Sequence, residues 1–243
     1  MKLAVDIGNT SISICLFEKN KIFKKSYFNS TQNFIDFMDK NTKQYDIQLA
    51  IISSVAPQLS NKLTDILLTK YNISNTHIDY KSSNLDLQVP YPETVGVDRL
   101  CNMFAVQRDY STPAIIIDFG TATTYDVINK SNQFIGGVIA AGVETSAKYL
   151  INKAALLSDT DLIFPENVIG IDTKTNIQSG IMFGSVDQVE GMIRRIYVET
   201  KTEYSIILTG GFAKLISPKL GYPHIVDQDL TLKGIIYIDD SNN

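Results

Sequence analysis

The chain has 243 residues, a formal net charge of −4, 44% hydrophobic and 20% charged residues, and two each of cysteine and histidine. This is the size and composition of one large or two small soluble domains. Cys15 and Cys101 are too few for a disulfide framework, and with His77 and His224 they make a Cys/His zinc site improbable. The acidic balance and the lack of a basic block argue against nucleic acid as a partner. No leader pattern precedes the first strand and no apolar run approaches ~18 residues, so the sequence reads as cytoplasmic, with no membrane partner.

In chain order, the pattern predicts strands over 2–6, 11–17 and 21–28, a helix over 31–40 with Thr31 as N-cap, and a buried strand over 47–53. A helix follows over 57–70, with Pro57 suited to its first turn, and then a short strand near 76–79. The polar stretch 82–92, with Pro90 and Pro92, is a loop, and 95–109 is a helix. After Pro113 the plan returns: strands over 114–118, 122–128 and 133–138, helices near 142–155 and 175–200, and a strand over 205–209. Gly210 and Gly211 then lead into a short helix near 212–216. Ile235–Ile238 belongs to a last helix or a terminal strand.

The return is an internal repeat. Lys2–Thr10 (KLAVDIGNT) and Ala114–Ala122 (AIIIDFGTA) both run an apolar strand into Asp-x-Gly. Asp6 and Asp118 are 112 residues apart, close to half the chain, and Asn20 falls on Asn132 at the same offset. Two such copies predict a duplicated α/β domain, 1–112 and 113–243, with a ligand held between them.

Gly8 and Gly120 are expected to adopt positive φ and admit a ligand close to the backbone. Successive N–H groups and the hydroxyls of Thr10, Ser11, Thr121, Thr123 and Thr124 form an anion-binding turn. A carboxylate beside a phosphate needs a cation between them, so the pair reads as phosphate plus Mg²⁺. Turn-capping alone would explain one copy; two copies in register favour the phosphate site. Gly210-Gly211, after a buried strand, reads either as a plain left-handed turn or as bare backbone for a nucleotide base. Gly96-Val97-Asp98-Arg99 opens a helix: either a structural ion pair, or a proton acceptor (Asp98) beside an anion anchor (Arg99).

Taken together, DIGNT (6–10), PETVGVDRL (92–100), IDFGTATT (117–124), DTKTNIQSG (172–180) and TGGFA (209–213) resemble the type III pantothenate kinases over nearly the whole chain. The resemblance implies a duplicated ribonuclease-H-like fold of the actin, sugar-kinase and Hsp70-like superfamily, with mixed sheets flanked by helices. It implies ATP-dependent phosphorylation of the primary hydroxyl of pantothenate, the first step of coenzyme A synthesis, in a homodimer using Mg²⁺ and a monovalent cation, K⁺ or NH₄⁺.

Residue by residue, it makes Asp6, Ile7, Gly8, Asn9, Thr10, Ser11 and Thr121 ATP contacts, with Asp6 also serving Mg²⁺ through phosphate or water. Gly210 and Gly211 join the ATP site. Gly96, Val97, Asp98 and Arg99 clamp pantothenate, with Asp98 the catalytic proton acceptor. Asp118 becomes the monovalent-cation ligand, and Thr173 a pantothenate contact offered across the dimer interface. The family's substrate-contacting tyrosine matches a position nearer Val89, and Tyr91 stands two residues on. Ser11 and Ser13 occupy a stretch where many members carry a basic or polar group. Two rivals are a phosphatase of the same superfamily, for which Glu144 is the nearest base, and a non-catalytic nucleotide-dependent regulator.

Overall fold

The computed structural model describes residues 1–153 and 160–242. The chain divides into two units, Met1–Tyr110 with Asp229–Asn243, and Ser111–Gln228.

In the first unit, β1 (Lys2–Ile7), β2 (Ile12–Glu18), β3 (Lys21–Phe28), β4 (Leu49–Ser54) and β5 (Ser74–His77) form one sheet in the order β3-β2-β1-β4-β5. β1 is antiparallel to β2 and parallel to β4. Central β1 and β4 are almost continuously buried, whereas edge strand β3 alternates exposed and half-buried residues, the pattern of strands covered on two faces and on one.

α1 (Thr31–Asn41) and α2 (Pro57–Tyr71) cover one face, where Phe34, Met38, Leu63 and Leu67 pack on Leu3, Val5 and Ile7. Pro57 sits in the first turn of α2 as expected. The N-cap of α1 is Ser30 rather than Thr31: Ser30 Oγ accepts from the Asn33 N–H, and Thr31 is the first helical residue.

The other face of the sheet carries α3 (Val97–Asp109) and α7 (Leu230–Ser241). Leu232, Ile235, Ile236 and Ile238 cluster there with Ala4, Cys15, Phe17, Ile51 and Cys101. Thr231 Oγ1 donates to the buried Asn102 Oδ1 at 2.8 Å, tying α7 to α3. The segment Asp229–Asn243 therefore packs with the first unit rather than with the second half, which corrects the division at 112/113. The reason is hydrophobic: α7 buries its apolar face on the first sheet. The alternatives for Ile235–Ile238 resolve as helix, and β5 lies about two residues earlier than its expected place.

The second unit repeats the plan. β6 (Ala114–Phe119), β7 (Ala122–Ile128), β8 (Phe134–Ala141), β9 (Ser205–Gly210) and β10 (Ile225–Val226) pair in the order β10-β9-β6-β7-β8, the first sheet's order strand for strand. Met182, Val186, Val189 and Ile193 of α5 (Thr173–Thr200) pack on Ile115, Ile117, Phe119, Ile206 and Leu208. α5 begins at an Asp172–Thr175 capping box, two residues before its expected start. α4 (Val143–Lys153) and the four-residue α6 (Ala213–Ile216) complete the unit; residues 154 and 155 of the expected helix lie outside the described residues.

Asn20 and Asn132 both take left-handed φ, 63° and 59°, so the repeat seen in the letters is also a repeat of backbone.

Candidate active site

Both aspartates stand near the ends of their central strands. Asp6 pairs in register with Ser13 of β2 and Ser53 of β4. Asp118 pairs with Thr124 of β7 and Thr209 of β9. Side chains in one register row point to one face of a sheet, so each half presents a carboxylate flanked on both sides by hydroxyls. In the first unit, Ser53 Oγ donates to Asp6 Oδ1 at 2.9 Å. In the second, Thr124 Oγ1 is buried with no hydrogen-bond partner among the described residues.

The turns after the aspartates differ from expectation. Neither Gly8 nor Gly120 has positive φ; among the described residues the positive-φ glycines are Gly136 and Gly210. Gly8 N–H donates to the Ser11 carbonyl at 2.9 Å and Gly120 N–H to the Ala122 carbonyl at 3.1 Å. Closing the turns on themselves satisfies these groups, so the two glycine N–H groups are spent inside the hairpins. What glycine still supplies at position 8 is room, since a Cβ there would stand 3.3 Å from the Ser11 oxygen. Asn9, Thr10 and Ser11 are exposed.

Gly210, at φ +88°, ends β9 in register with Phe119. A Cβ there would collide with Asp118 Oδ1 and come within 2.6 Å of the Phe119 nitrogen. The residue is thus required by the approach of β9 to Asp118, and the left-handed reading holds for it. Gly211 is open, with only the Phe119 oxygen 4.0 Å from a Cβ. The carbonyl of Thr121 accepts from Gly142 N–H at 3.1 Å and from Thr145 Oγ1 at 2.6 Å, which fixes the entry to α4.

The acceptor-side residues lie at the start of α3. Gly96 is its N-cap, and a Cβ there would sit 2.6 Å from Asp98 Oδ1. Glycine therefore lets the Asp98 carboxylate fold back over the helix end, where Oδ1 accepts the Arg99 N–H at 2.8 Å. Burial pushes the Asp98 carboxyl above its ordinary value, against the opposing pull of the Arg99 N–H and guanidinium. Three residues on, on the same helical face, Cys101 is fully buried beneath Asp98 and within hydrogen-bond reach of Ser53. Burial holds its thiol well above the usual range, and the charges of Asp6 and Asp98 reinforce this. Asp6 and Asp98, far apart in sequence, thus both bear on one buried thiol. Tyr91 is 67% exposed; its carbonyl accepts from both the N–H and the hydroxyl of Thr94, which fixes the loop and leaves the ring outside.

A profile of the type III pantothenate kinases matches residues 2–195. The chain belongs to that family. A relative of the same name from Sulfurihydrogenibium sp. is 39% identical over 98% of this chain and 99% of its own. Among solved structures, a Campylobacter jejuni protein described as a Baf-family transcriptional activator superposes with a TM-score of 0.64 at 18% identity, covering 99% and 98% of the two chains. The activator of the 2-hydroxyisocaproyl-CoA dehydratase from Clostridium difficile, with bound ADPNP, gives 0.57 at 12% identity, covering 99% and 95%. These establish the duplicated actin-like fold. The enzyme is a phosphotransferase that phosphorylates pantothenate with ATP in coenzyme A synthesis.

In this kinase Glu144, the candidate base of a phosphatase, is an exposed residue paired with Lys148 at 2.6 Å, which occupies it on the surface of α4. Thr173 is the exposed first residue of α5, just after Val168, Ile169 and Ile171, which are 64%, 85% and 94% exposed. It lies in the second unit and Gly96–Arg99 in the first. Among the described residues no three His, Cys, Asp or Glu side chains gather as a metal cage, and no helix is long and apolar enough to cross a membrane. Sequence reasoning missed Ser53, Cys101 and Thr209. The signal was available: each apolar central strand ends in hydroxyl residues, Ser53-Ser54 in one half and Thr209 in the other.

Proposed function

We propose that Asp98 is the base that receives the hydroxyl proton of pantothenate while the γ-phosphoryl group moves in line from ATP. The observation that carries this is the half-buried carboxylate of Asp98 at a helix start, accepting the Arg99 N–H and, like Asp6, acting on the buried thiol of Cys101. Such transfer rests on positioning and charge neutralisation, and a positioned base adds roughly 10²–10⁴-fold. Arg99 is the partner for the pantothenate carboxylate, Gly96 and Val97 shape the clamp, and Tyr91 offers its exposed ring to the substrate. Asp6 through Ser11 and Thr121 hold the phosphates, with Gly210 and Gly211 at the base side; openness at Gly211 supports the latter.

A single carboxylate together with the phosphates of ATP fits Mg²⁺, which is commonly held by one or two carboxylates plus substrate phosphates; Asp6 is the residue for it. Bound there, it neutralises charge on the phosphates. Asp118 with the unpartnered hydroxyl of Thr124 opposite it fits a monovalent cation, K⁺ or NH₄⁺. A homodimer, with Thr173 completing a partner's acceptor pocket, is supported by the exposed apolar residues just before Thr173, since such clusters mark interaction surfaces. ATP and pantothenate as substrates accord with a cytoplasmic enzyme.

The deciding experiment is a coupled assay of ATP turnover with and without pantothenate, in K⁺ and in a bulky organic cation. Turnover that needs both pantothenate and K⁺ is expected. Equal turnover in both cations removes the role of Asp118.

A further inference from the structure

Asp6 does not stand alone at the end of β1. One of its oxygens is taken by Ser53, which is fully buried and lies beside it in the parallel β1–β4 register. Ser53 in turn meets Cys101, also fully buried, on the helix that begins with Asp98. The proton count fixes the direction of this chain. A carboxylate only accepts, and a serine hydroxyl has one hydrogen, which Asp6 Oδ1 receives. The thiol of Cys101 must therefore donate to Ser53.

Backbone pairing already joins β1 to β4, so the sheet does not need a buried hydroxyl here. The flanking residues on β4, Ala50, Ile51 and Ile52, are the apolar kind such a strand ordinarily carries. The other half places Thr209, likewise buried, in the same register position beside Asp118.

We propose that Ser53 is a positioning residue of the kinase: held by Cys101, it fixes the Asp6 carboxylate at the metal and phosphate side and ties it to the helix that carries Asp98. This rests on the reading of Asp6 as the carboxylate that serves Mg²⁺. Without the Ser53 donor the Asp6 carboxylate loses the hydrogen bond that aims its Oδ1, so the loss falls on metal-dependent nucleotide binding rather than on nucleotide binding as such.

The test is calorimetric titration with ATP, with Mg²⁺ present and with Mg²⁺ chelated, on the full chain. Ser53→Ala is expected to weaken MgATP binding about tenfold, in keeping with loss of a hydrogen bond to a charged group, and to leave Mg²⁺-free ATP binding unchanged. Ser53→Thr, which copies the residue of the other half, should bind within about twofold of the parent. Cys101→Ala should give a smaller loss, and Cys101→Ser, which keeps a donor, should recover it.

Parent-like MgATP binding by Ser53→Ala overturns the proposal, as does an equal loss with and without Mg²⁺, or a Ser53→Thr as weak as Ser53→Ala. Should Ser53→Ala fail to fold by circular dichroism, the Cys101 pair decides: Ala weak and Ser recovered supports the chain, and no difference between them refutes it. Asp6→Asn separates the two levels. If it binds MgATP like the parent, the underlying reading of Asp6 falls. If it is weak while Ser53→Ala is not, only the role of Ser53 falls.

Discussion

The two halves of the kinase share a strand order, a carboxylate near the end of the central strand and a hydroxyl on each side of it, yet they spend their glycines differently. In the first half the glycine that matters is Gly96, which gives the Asp98 carboxylate room to fold over a helix end. In the second it is Gly210, whose positive φ lets β9 close against Asp118. The loops differ as well. Ile7 pairs with Ile12 in the first hairpin, but Phe119 pairs with Thr123 in the second, so the first loop is one residue longer. The longer Asn9–Ser11 segment is exposed, while the shorter turn is pinned to α4 through the Thr121 carbonyl. Duplication preserved the scaffold row and left the turn free to specialise.

The largest expected effect breaks the symmetry at its chemical end. Asp98→Asn should lower kcat by roughly 10²-fold or more with nucleotide affinity little changed, measured by the coupled assay and by titration. A variant with parental kcat removes Asp98 as base. The same substitution should stabilise the fold. Burial raises the Asp98 pKa, so its contribution to stability is full below the unfolded value and is lost as pH rises through the folded one. Urea unfolding at pH 7 should therefore show a higher midpoint for Asp98→Asn, and the gap should close as the pH falls below the usual carboxylate range.

Next come the glycines. Gly210→Ala combines a strained φ with a collision on β6 and should cost about 2–3 kcal/mol, whereas Gly8→Ala, with no positive φ, should cost less than about 1 kcal/mol. Equal costs in denaturant unfolding would mean that the turns are not differently built. Asp118→Asn should raise the apparent KM for ATP and flatten its dependence on K⁺, without the selective Mg²⁺ defect expected of Asp6→Asn; titrating each cation against turnover separates them. The smallest effect probes the shared hairpin. Asn20→Ala and Asn132→Ala should each cost about 1 kcal/mol for the left-handed backbone, with a few tenths more for a side-chain hydrogen bond in each, Asn20 Nδ2 to Asp240 Oδ2 at 2.8 Å and Thr112 Oγ1 to Asn132 Oδ1 at 2.6 Å. Thermal melts of the two variants check that the two costs match.

Much of this was legible because it depends on local rules. Alternating and buried runs located nine of the ten strands among the described residues, and the repeated Asp-x-Gly located both carboxylates. Two-residue β10 is too short to leave a periodic signal. Ser30 displaced Thr31 as cap because either hydroxyl suits the position and only backbone geometry chooses. The positive φ moved from Gly8 and Gly120 to Gly210 because strand approach, a tertiary property, decides where a Cβ is intolerable. Ser53 and Cys101 were invisible for the same reason: a strand serine and a helix cysteine gain meaning only when register and packing bring them to Asp6. The helix at the chain's end was legible only as an apolar run, since nothing local says which sheet it covers.

That last helix sets an order on biosynthesis. Ribosomal synthesis delivers the first 110 residues long before Leu232, Ile235, Ile236 and Ile238, yet these line the face of the first sheet that carries α3. Gly234 even lets α7 press against the backbone of Cys101, where any side chain would collide with its carbonyl. The nascent first unit must therefore wait, with apolar surface uncovered, until α7 has been made. Such exposure favours aggregation, so premature termination anywhere before α7 leaves the first unit with an uncovered apolar face, even in chains that carry every residue of the Asp6, Asp98 and Asp118 motifs.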